Sequence, residues 1–232
     1  MKQPEFDRYS PSYEELLKDP IRDRFMGNES GFFHERKRDL IRNYFRAQRT
    51  DTRGLRYLDI GCGKGELLSL LRDDFAQVAG CDPSAGMLSF AQGAEVRVQN
   101  DPAVLPFDKE EFDFVTAVCV YHHVPPSARA GLTREISRVL KPGGTFAIIE
   151  HNPYNPVTRK IVSRTPVDAD AILLKPGETQ EWMRQSGFAP RSLQYFLFLP
   201  KPIYRLGGQR LERAIGWIPL GGQYAVFAGK ES

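Results

Sequence analysis

The segment Tyr57-Leu58-Asp59-Ile60-Gly61-Cys62-Gly63-Lys64-Gly65 constrains this chain more than any other. Residues 55–60 read as a short strand, three glycines follow at alternate positions, and 66–74 reads as a helix with Leu67, Leu68, Leu70 and Leu71 free to pack. Glycines placed there let the backbone turn sharply and approach a ligand closely, beside the partial positive charge of a helix N-terminus. Strand, glycine turn and helix form the opening unit of a parallel α/β sheet.

The alternation continues along the chain. Strands are expected at 76–81, 95–99, 112–120 and 145–150, and helices at 84–92 and 126–140, the second closed by Lys141-Pro142-Gly143-Gly144. Further on, 177–187 reads as a helix and 191–199 and 222–229 as strands. Ahead of the glycine turn, residues 12–49 read as two helices. A length of 232 residues with 41% hydrophobic content suits one core, so 1–232 is read as a single domain. Within it, 1–50 forms a helical cap, and 151–176 and 200–221 are insertions at a substrate site. The first of these breaks the rhythm with Pro153, Pro156, Pro166 and Pro176.

The spacing separates this turn from the dinucleotide fingerprint G-x-G-x-x-G, because Gly65 comes one residue early and Glu66 stands where the third glycine belongs. Asp59, just before the first glycine, suits a ligand that carries an ammonium group rather than a pyrophosphate. Asp82 stands where a carboxylate accepts from ribose hydroxyls, and Asp101 follows the third strand after Asn100. Each feature has a plainer reading: a tight turn without a ligand, or a helix cap in Asp82-Pro83-Ser84.

Taken in order, the glycine turn, Gly80-Cys81-Asp82-Pro83-Ser84 with Met87, Asn100-Asp101, Leu105-Pro106-Phe107, Val120-Tyr121-His122-His123-Val124 and Leu140-Lys141-Pro142-Gly143-Gly144 resemble the class I S-adenosylmethionine-dependent methyltransferases. The likeness is to the broad group that includes ubiquinone and menaquinone methyltransferases, and it covers about 55–150. It implies a Rossmann-like three-layer α/β/α sandwich, with a seven-stranded, mostly parallel sheet whose last strand is antiparallel and inserted between two earlier ones. It implies that Gly61, Gly63 and Gly65 wrap the methionine and ribose of S-adenosylmethionine, with Asp82 on the ribose and Asp101 near the adenine. Cys62, Pro83, Met87, Asn100, Cys119 and Val120 join the cofactor wall by their positions. Tyr13, on a segment that closes over the cofactor in many related enzymes, is a further contact.

Methyl transfer from a sulfonium is an in-line displacement, so the protein must hold the acceptor close and aligned and, where needed, remove a proton. His123 and His151 are the candidate bases; equally, either holds its loop. The expected reaction moves a methyl group to oxygen of a small molecule and leaves S-adenosylhomocysteine, with no metal. The alternative is a non-catalytic S-adenosylmethionine-binding regulator or scaffold. The apolar run Tyr195-Phe196-Leu197-Phe198-Leu199 with Lys201-Pro202-Ile203-Tyr204-Arg205 inclines the acceptor towards an apolar molecule. It reads as a core strand with a loop over the acceptor pocket, or as a surface touching lipid.

Charge and cysteines bound the setting. Thirty-two basic against 29 acidic residues leave +3, without the footprint of a nucleic-acid binder. Cys62, Cys81 and Cys119 form no C-x-x-C pair, which fits a reducing compartment. With neither a leader-like apolar run at the N-terminus nor a stretch long enough to span a bilayer, a cytoplasmic setting is expected. The sequence does not speak to oligomeric state.

Overall fold

Four helices precede the sheet in the computed structural model, which describes residues 5–26 and 31–231. They are α1 (Glu5–Tyr9), α2 (Tyr13–Leu16), α3 (Pro20–Met26) and α4 (Phe32–Ala47). The sequence reading expects two helices here. Pro20 divides the first of them: it opens α3, and the Asp19 carboxylate accepts from the N–H groups of Ile21 (2.8 Å) and Arg22 (3.2 Å). Residues 1–4 and 27–30 of the expected cap lie outside the described residues.

Strands and helices then alternate as β1 (Arg56–Ile60), α5 (Glu66–Leu71), β2 (Gln77–Asp82), α6 (Ala85–Leu88), β3 (Glu95–Val98), β4 (Phe112–Val118), α7 (Pro126–Val139) and β5 (Leu140–His151). After β5 come α8 (Pro156–Val162), a 3-10 turn at Pro166–Asp168, α9 (Pro176–Gln185) and β6 (Phe188–Phe196). An excursion holding α10 (Lys201–Ile203), a wide turn at Tyr204–Gly208 and α11 (Gln209–Ala214) leads to β7 (Gln223–Lys230). The seven strands form one sheet in the order β3-β2-β1-β4-β5-β7-β6. Strand β7 runs antiparallel to both β5 and β6 and lies between them. This is the α/β sandwich expected from the sequence.

Several expected boundaries move: α5, α6 and β4 end early, at Leu71, Leu88 and Val118, and two strands shift further. Strand β5 starts at Leu140 rather than 145, because Leu140 already pairs with Phe112 before the Gly143 turn (φ 74°) is absorbed as an irregularity. Strand β6 occupies 188–196 rather than 191–199. It stops where Leu197 takes φ 62° and the Glu212 carboxylate accepts from the N–H of Leu197 (2.5 Å) and Phe198 (3.2 Å), which ends the ladder.

Alternation along the strands sends side chains to two cores. Leu58 and Ile60 join Phe112, Ile136 and Phe146 on one face; Tyr57 and Phe114 join Tyr44, Leu68 and Phe227 on the other. Tyr44 of α4 stacks on Phe227 of β7 at 4.0 Å and 7°, which fixes the cap helix against the sheet. Each buried aromatic of this kind contributes about 1.5–3 kcal/mol by burial. Among the described residues no helix is long and apolar enough to cross a membrane.

Candidate functional site

Strand order reverses between β1 and β4, and ligands of open α/β sheets bind in the crevice beyond the carboxyl ends of the strands at such a point. A cavity of about 1280 Å³ opens there, bounded by the glycine turn, the ends of β2, β4 and β5, and helices α2, α3, α4 and α8. Single-ligand pockets span roughly 300–1,000 Å³. This one has room for two molecules side by side.

The glycine turn forms one wall. Gly61 and Cys62 donate to the Cys81 carbonyl at 2.8 and 3.0 Å, which bends the chain off β1 while leaving it tied to β2. All three glycines have positive φ, at 65°, 55° and 77°. A Cβ on Gly61 would stand 2.5 Å from Val120 Cγ2, whereas one on Gly63 would meet nothing within 4 Å. Asp59 and Thr116 are register partners on β1 and β4; the Thr116 hydroxyl donates to Asp59 Oδ1 (2.6 Å) and is left to accept from Tyr57 (2.7 Å). Burial pushes the Asp59 carboxyl up to about 7, against that hydrogen bond and the charge of Lys37.

The end of β2 forms the next wall. Asp82 accepts from Gly63 N–H (3.0 Å) and Ser84 N–H (2.8 Å), so backbone donors orient the carboxylate even as burial raises its pKa. Ser84 caps α6 by accepting from Met87 N–H (3.0 Å) and donates to Asp7 of α1 (2.5 Å), latching the first helix over this corner. Pro83, Met87 and Asn100 line the cavity, as do Cys62, Cys119 and Val120. Asp101 does not. Its exposed carboxylate accepts from Ala103 N–H (2.8 Å), which leaves lone pairs free, while Gln99, Asn100 and Pro102 on either side of it line the wall.

Helices of the cap close the opposite side. Tyr13 lines the cavity, and burial drives its hydroxyl pKa well above the ordinary value. Two cations that the sequence reading left unassigned face the same space. Lys37, on the inner side of α4, is 6% exposed and makes no hydrogen bond or ion pair with a described residue. Arg22 lies over the Phe33 ring at 5.0 Å and donates to the Leu17 carbonyl (2.7 Å). Helical periodicity marks α4 as packing; it does not say which of its polar residues meets a cavity.

Three of the four histidines cluster at the ends of β4 and β5; the fourth, His34 of α4, also lines the cavity. His122 is buried between two carboxylates, with Nδ1 2.5 Å from Glu150 Oε2 and Nε2 3.4 Å from Asp168 Oδ1. Burial opposes its charge, but Glu150 and Asp168 raise its pKa well above the usual value, and His122 in turn holds both acids low. His123 Nε2 is 3.5 Å from the same Asp168 oxygen, and burial and the neighbouring His122 charge push its pKa down to about 4. One donor atom from each of His122, His123 and Asp168 lies within 4.8 Å of the others, close enough for these three to hold an ion. His151 lines the cavity beside Cys119, which has φ 56°. Burial alone would raise the Cys119 thiol; Lys37 and His151 bring it below the usual range.

Of the insertions, 151–176 supplies much of the outer wall through Val157, Thr158, Ile161 and Asp168. The 200–221 excursion supplies only Leu220, because its inner face is committed to α4: Arg36 pairs with Glu212 (2.7 Å) and Tyr204 donates to Asp39 (2.8 Å). Leu197 and Phe198 at the end of β6 take the place expected for it.

Residues 58–148 match the family described as methyltransferase domain. An uncharacterized methyltransferase of Bacillus subtilis is 33% identical over 149 residues, 60% of this chain and 57% of that protein. A demethylmenaquinone methyltransferase of Staphylococcus aureus is 30% identical over 151 residues, 59% of this chain and 61% of that protein. The chain thus spans a little over half the length of these curated relatives. Crystal structures of S-adenosylmethionine-dependent methyltransferases from Archaeoglobus fulgidus and Aquifex aeolicus both align with a TM-score of 0.61. The first is 20% identical over 83% of this chain and 94% of that one; the second is 17% identical over 94% and 97%. At such identities the likeness is one of fold.

Proposed function

We propose that this chain, which carries a methyltransferase domain on the fold of the class I S-adenosylmethionine-dependent enzymes, binds S-adenosylmethionine and transfers its methyl group to an oxygen of a small, partly apolar acceptor. The observation that carries this is the meeting, on one cavity, of a positive-φ glycine turn with two buried acids, Asp59 and Asp82, and the buried ammonium of Lys37. These residues fit the ligand. Asp59 faces its ammonium, Lys37 its carboxylate, and Asp82, oriented by Gly63 and Ser84, keeps lone pairs for the ribose hydroxyls. Cys62, Gly61, Pro83, Met87, Asn100, Cys119, Val120 and Tyr13 complete the enclosure, and Gly65, outside the lining, makes the left-handed turn that opens α5 behind them.

When bound, S-adenosylmethionine supplies a sulfonium methyl for in-line displacement. The chain's part is to orient and to exclude water, worth ~7–11 kcal/mol of the barrier when the acceptor is held in line. His151, on the cavity wall next to Cys119, takes the hydroxyl proton. His123 is a weaker candidate base because its pKa lies far below neutrality. His122 instead holds Glu150 and Asp168 together, which fixes the 3-10 turn against the end of β5. The His122, His123 and Asp168 cluster is read as an ion pair network that needs no metal.

Leu17, Ile21, Phe25, Phe33, Ile161 and Phe198 make the acceptor half of the cavity apolar. The test is transfer of an isotopically labelled methyl group from S-adenosylmethionine to a panel of apolar phenols and alcohols, with S-adenosylhomocysteine quantified. Labelled ethers support the reading, and label appearing only on carbon or nitrogen acceptors sinks the oxygen assignment.

A further inference from the structure

The near-balanced charge of the whole chain hides a one-sided distribution. Segments 152–167 and 201–222 together hold seven basic residues and one acid, although the chain as a whole carries only +3. That acid, Glu212, is buried and paired with Arg36. The two segments are neighbours. Asn155 Nδ2 donates to the Leu220 carbonyl (2.7 Å), Thr158 Oγ1 to the Gly222 carbonyl (2.9 Å), and Asn152 Nδ2 to the Gly221 carbonyl (2.8 Å). They form one surface.

That surface is also apolar where it faces outward. Leu206 is 88% exposed and Trp217 76%, and Ile203, Leu211 and Leu220 are each more than half exposed, all within the 18 residues from 203 to 220. Their exposure does not come from a loose loop. Tyr204 is buried under the Arg36 guanidinium at 3.4 Å and bonded to Asp39, and Arg205 pairs with Glu35 (3.0 Å). The excursion is therefore pinned by its inner side with its large side chains turned out. Exposed Arg205, Arg210 and Arg213 stand among them, and exposed Arg159 and Lys160 lie on the adjoining α8. Leu220 and Val157 are both exposed and line the cavity, so the apolar surface runs continuously into the acceptor wall.

Apolar side chains including a tryptophan, interspersed with arginines and free of exposed acids, match the interface of an anionic bilayer. Nucleic acid would be met by several exposed aromatic rings for stacking, whereas this surface offers two, Trp217 and Tyr154, among the exposed aliphatic Val157, Ile203, Leu206, Leu211 and Leu220. We propose that α8 and the 201–222 excursion dock this protein on an anionic lipid surface, with the cavity mouth against the bilayer so that the methyl acceptor is an amphiphile entering from the membrane. The docking stands independently of catalysis; the nature of the acceptor rests on the function proposed above.

The chain has two tryptophans, and Trp182 packs against the core, so the change in emission that is lost in the Trp217→Phe control reports on Trp217. The intact chain is mixed with vesicles of phosphatidylcholine alone or with about one third phosphatidylglycerol. The expected result is a blue shift of Trp217 emission and co-sedimentation with the anionic vesicles only. Binding falls at least tenfold in Leu206→Asp/Leu211→Asp, while S-adenosylmethionine binding by that variant, measured by calorimetry, is unchanged. Absence of the shift, or a variant that still sediments with the vesicles, overturns the docking. So does a shift produced by polyuridylate and not by vesicles, which would reassign the face to nucleic acid. Vesicle binding without any S-adenosylmethionine binding would instead leave the docking and overturn the proposed reaction.

Discussion

Asp59 receives a 2.6 Å hydrogen bond from Thr116, its register partner on β4, and is still pushed by burial up to about 7. A carboxyl poised there must lose its proton to pair with an ammonium. Affinity for S-adenosylmethionine therefore rises about tenfold per pH unit below 7 and levels off above it. Asp59→Asn binds more weakly and loses this slope, as read by calorimetry between pH 5.5 and 8.5, a range of roughly 1.5 units either side of that value. The ligand-free fold responds with the opposite sign: the folded pKa exceeds the unfolded value of about 3.9, so the Asp59 contribution to stability is full below ~4 and is lost as pH rises through about 7.

Lys37 offers a charge to a ligand that ends in a carboxylate. Lys37→Met weakens S-adenosylmethionine binding by about ten- to a hundredfold, in line with ~1.5–3 kcal/mol for a hydrogen bond to a charged group. Binding of 5'-methylthioadenosine, which lacks the amino-acid end, stays within about twofold. Equal losses for both ligands would show that Lys37 supports the fold rather than the ligand.

The two candidate bases part company in kinetics. His151→Ala lowers kcat by about 10²–10⁴ with S-adenosylmethionine affinity retained, as for loss of a general base. His123→Ala changes kcat by less than about tenfold, because its depressed pKa of about 4 makes it a poor proton acceptor near neutrality. If both variants keep full turnover, neither His151 nor His123 acts as the base.

Arg36 and Glu212 join the cap to the excursion through a buried 2.7 Å ion pair, and Glu212 also caps the end of β6. Removing one partner leaves the other charge buried. Arg36→Met is expected to cost about 3–5 kcal/mol in denaturant unfolding, and Arg36→Met with Glu212→Leu less than the sum of the two singles. Strict additivity would show that the two side chains do not interact.

What was legible in the sequence is what local pattern controls. The glycine turn follows from β1 and α5, the Ser84 cap follows from its own hydroxyl, and the strand alternation fixes the sheet. For Asp101 the sequence leaves two uses open, because an acid after a strand end bonds its own loop as readily as a ligand. Lys37 was missed because its charge comes near enough to act on Asp59 and Cys119 only once α4 is laid across the sheet. Asp168 was invisible for a related reason. It reaches His122 and His123 only because Ile172 N–H binds the His122 carbonyl (2.8 Å) and folds the segment back over β4. The basic, apolar outer face was masked by averaging charge over the chain.

The cofactor assignment rests on calorimetric titration of the purified chain with S-adenosylmethionine and, separately, with NAD. One site per chain for S-adenosylmethionine, weakened at least about tenfold by Asp82→Ala, and no heat with NAD is the predicted outcome. Saturable NAD binding with none for S-adenosylmethionine, or S-adenosylmethionine binding indifferent to Asp82→Ala, would contradict it.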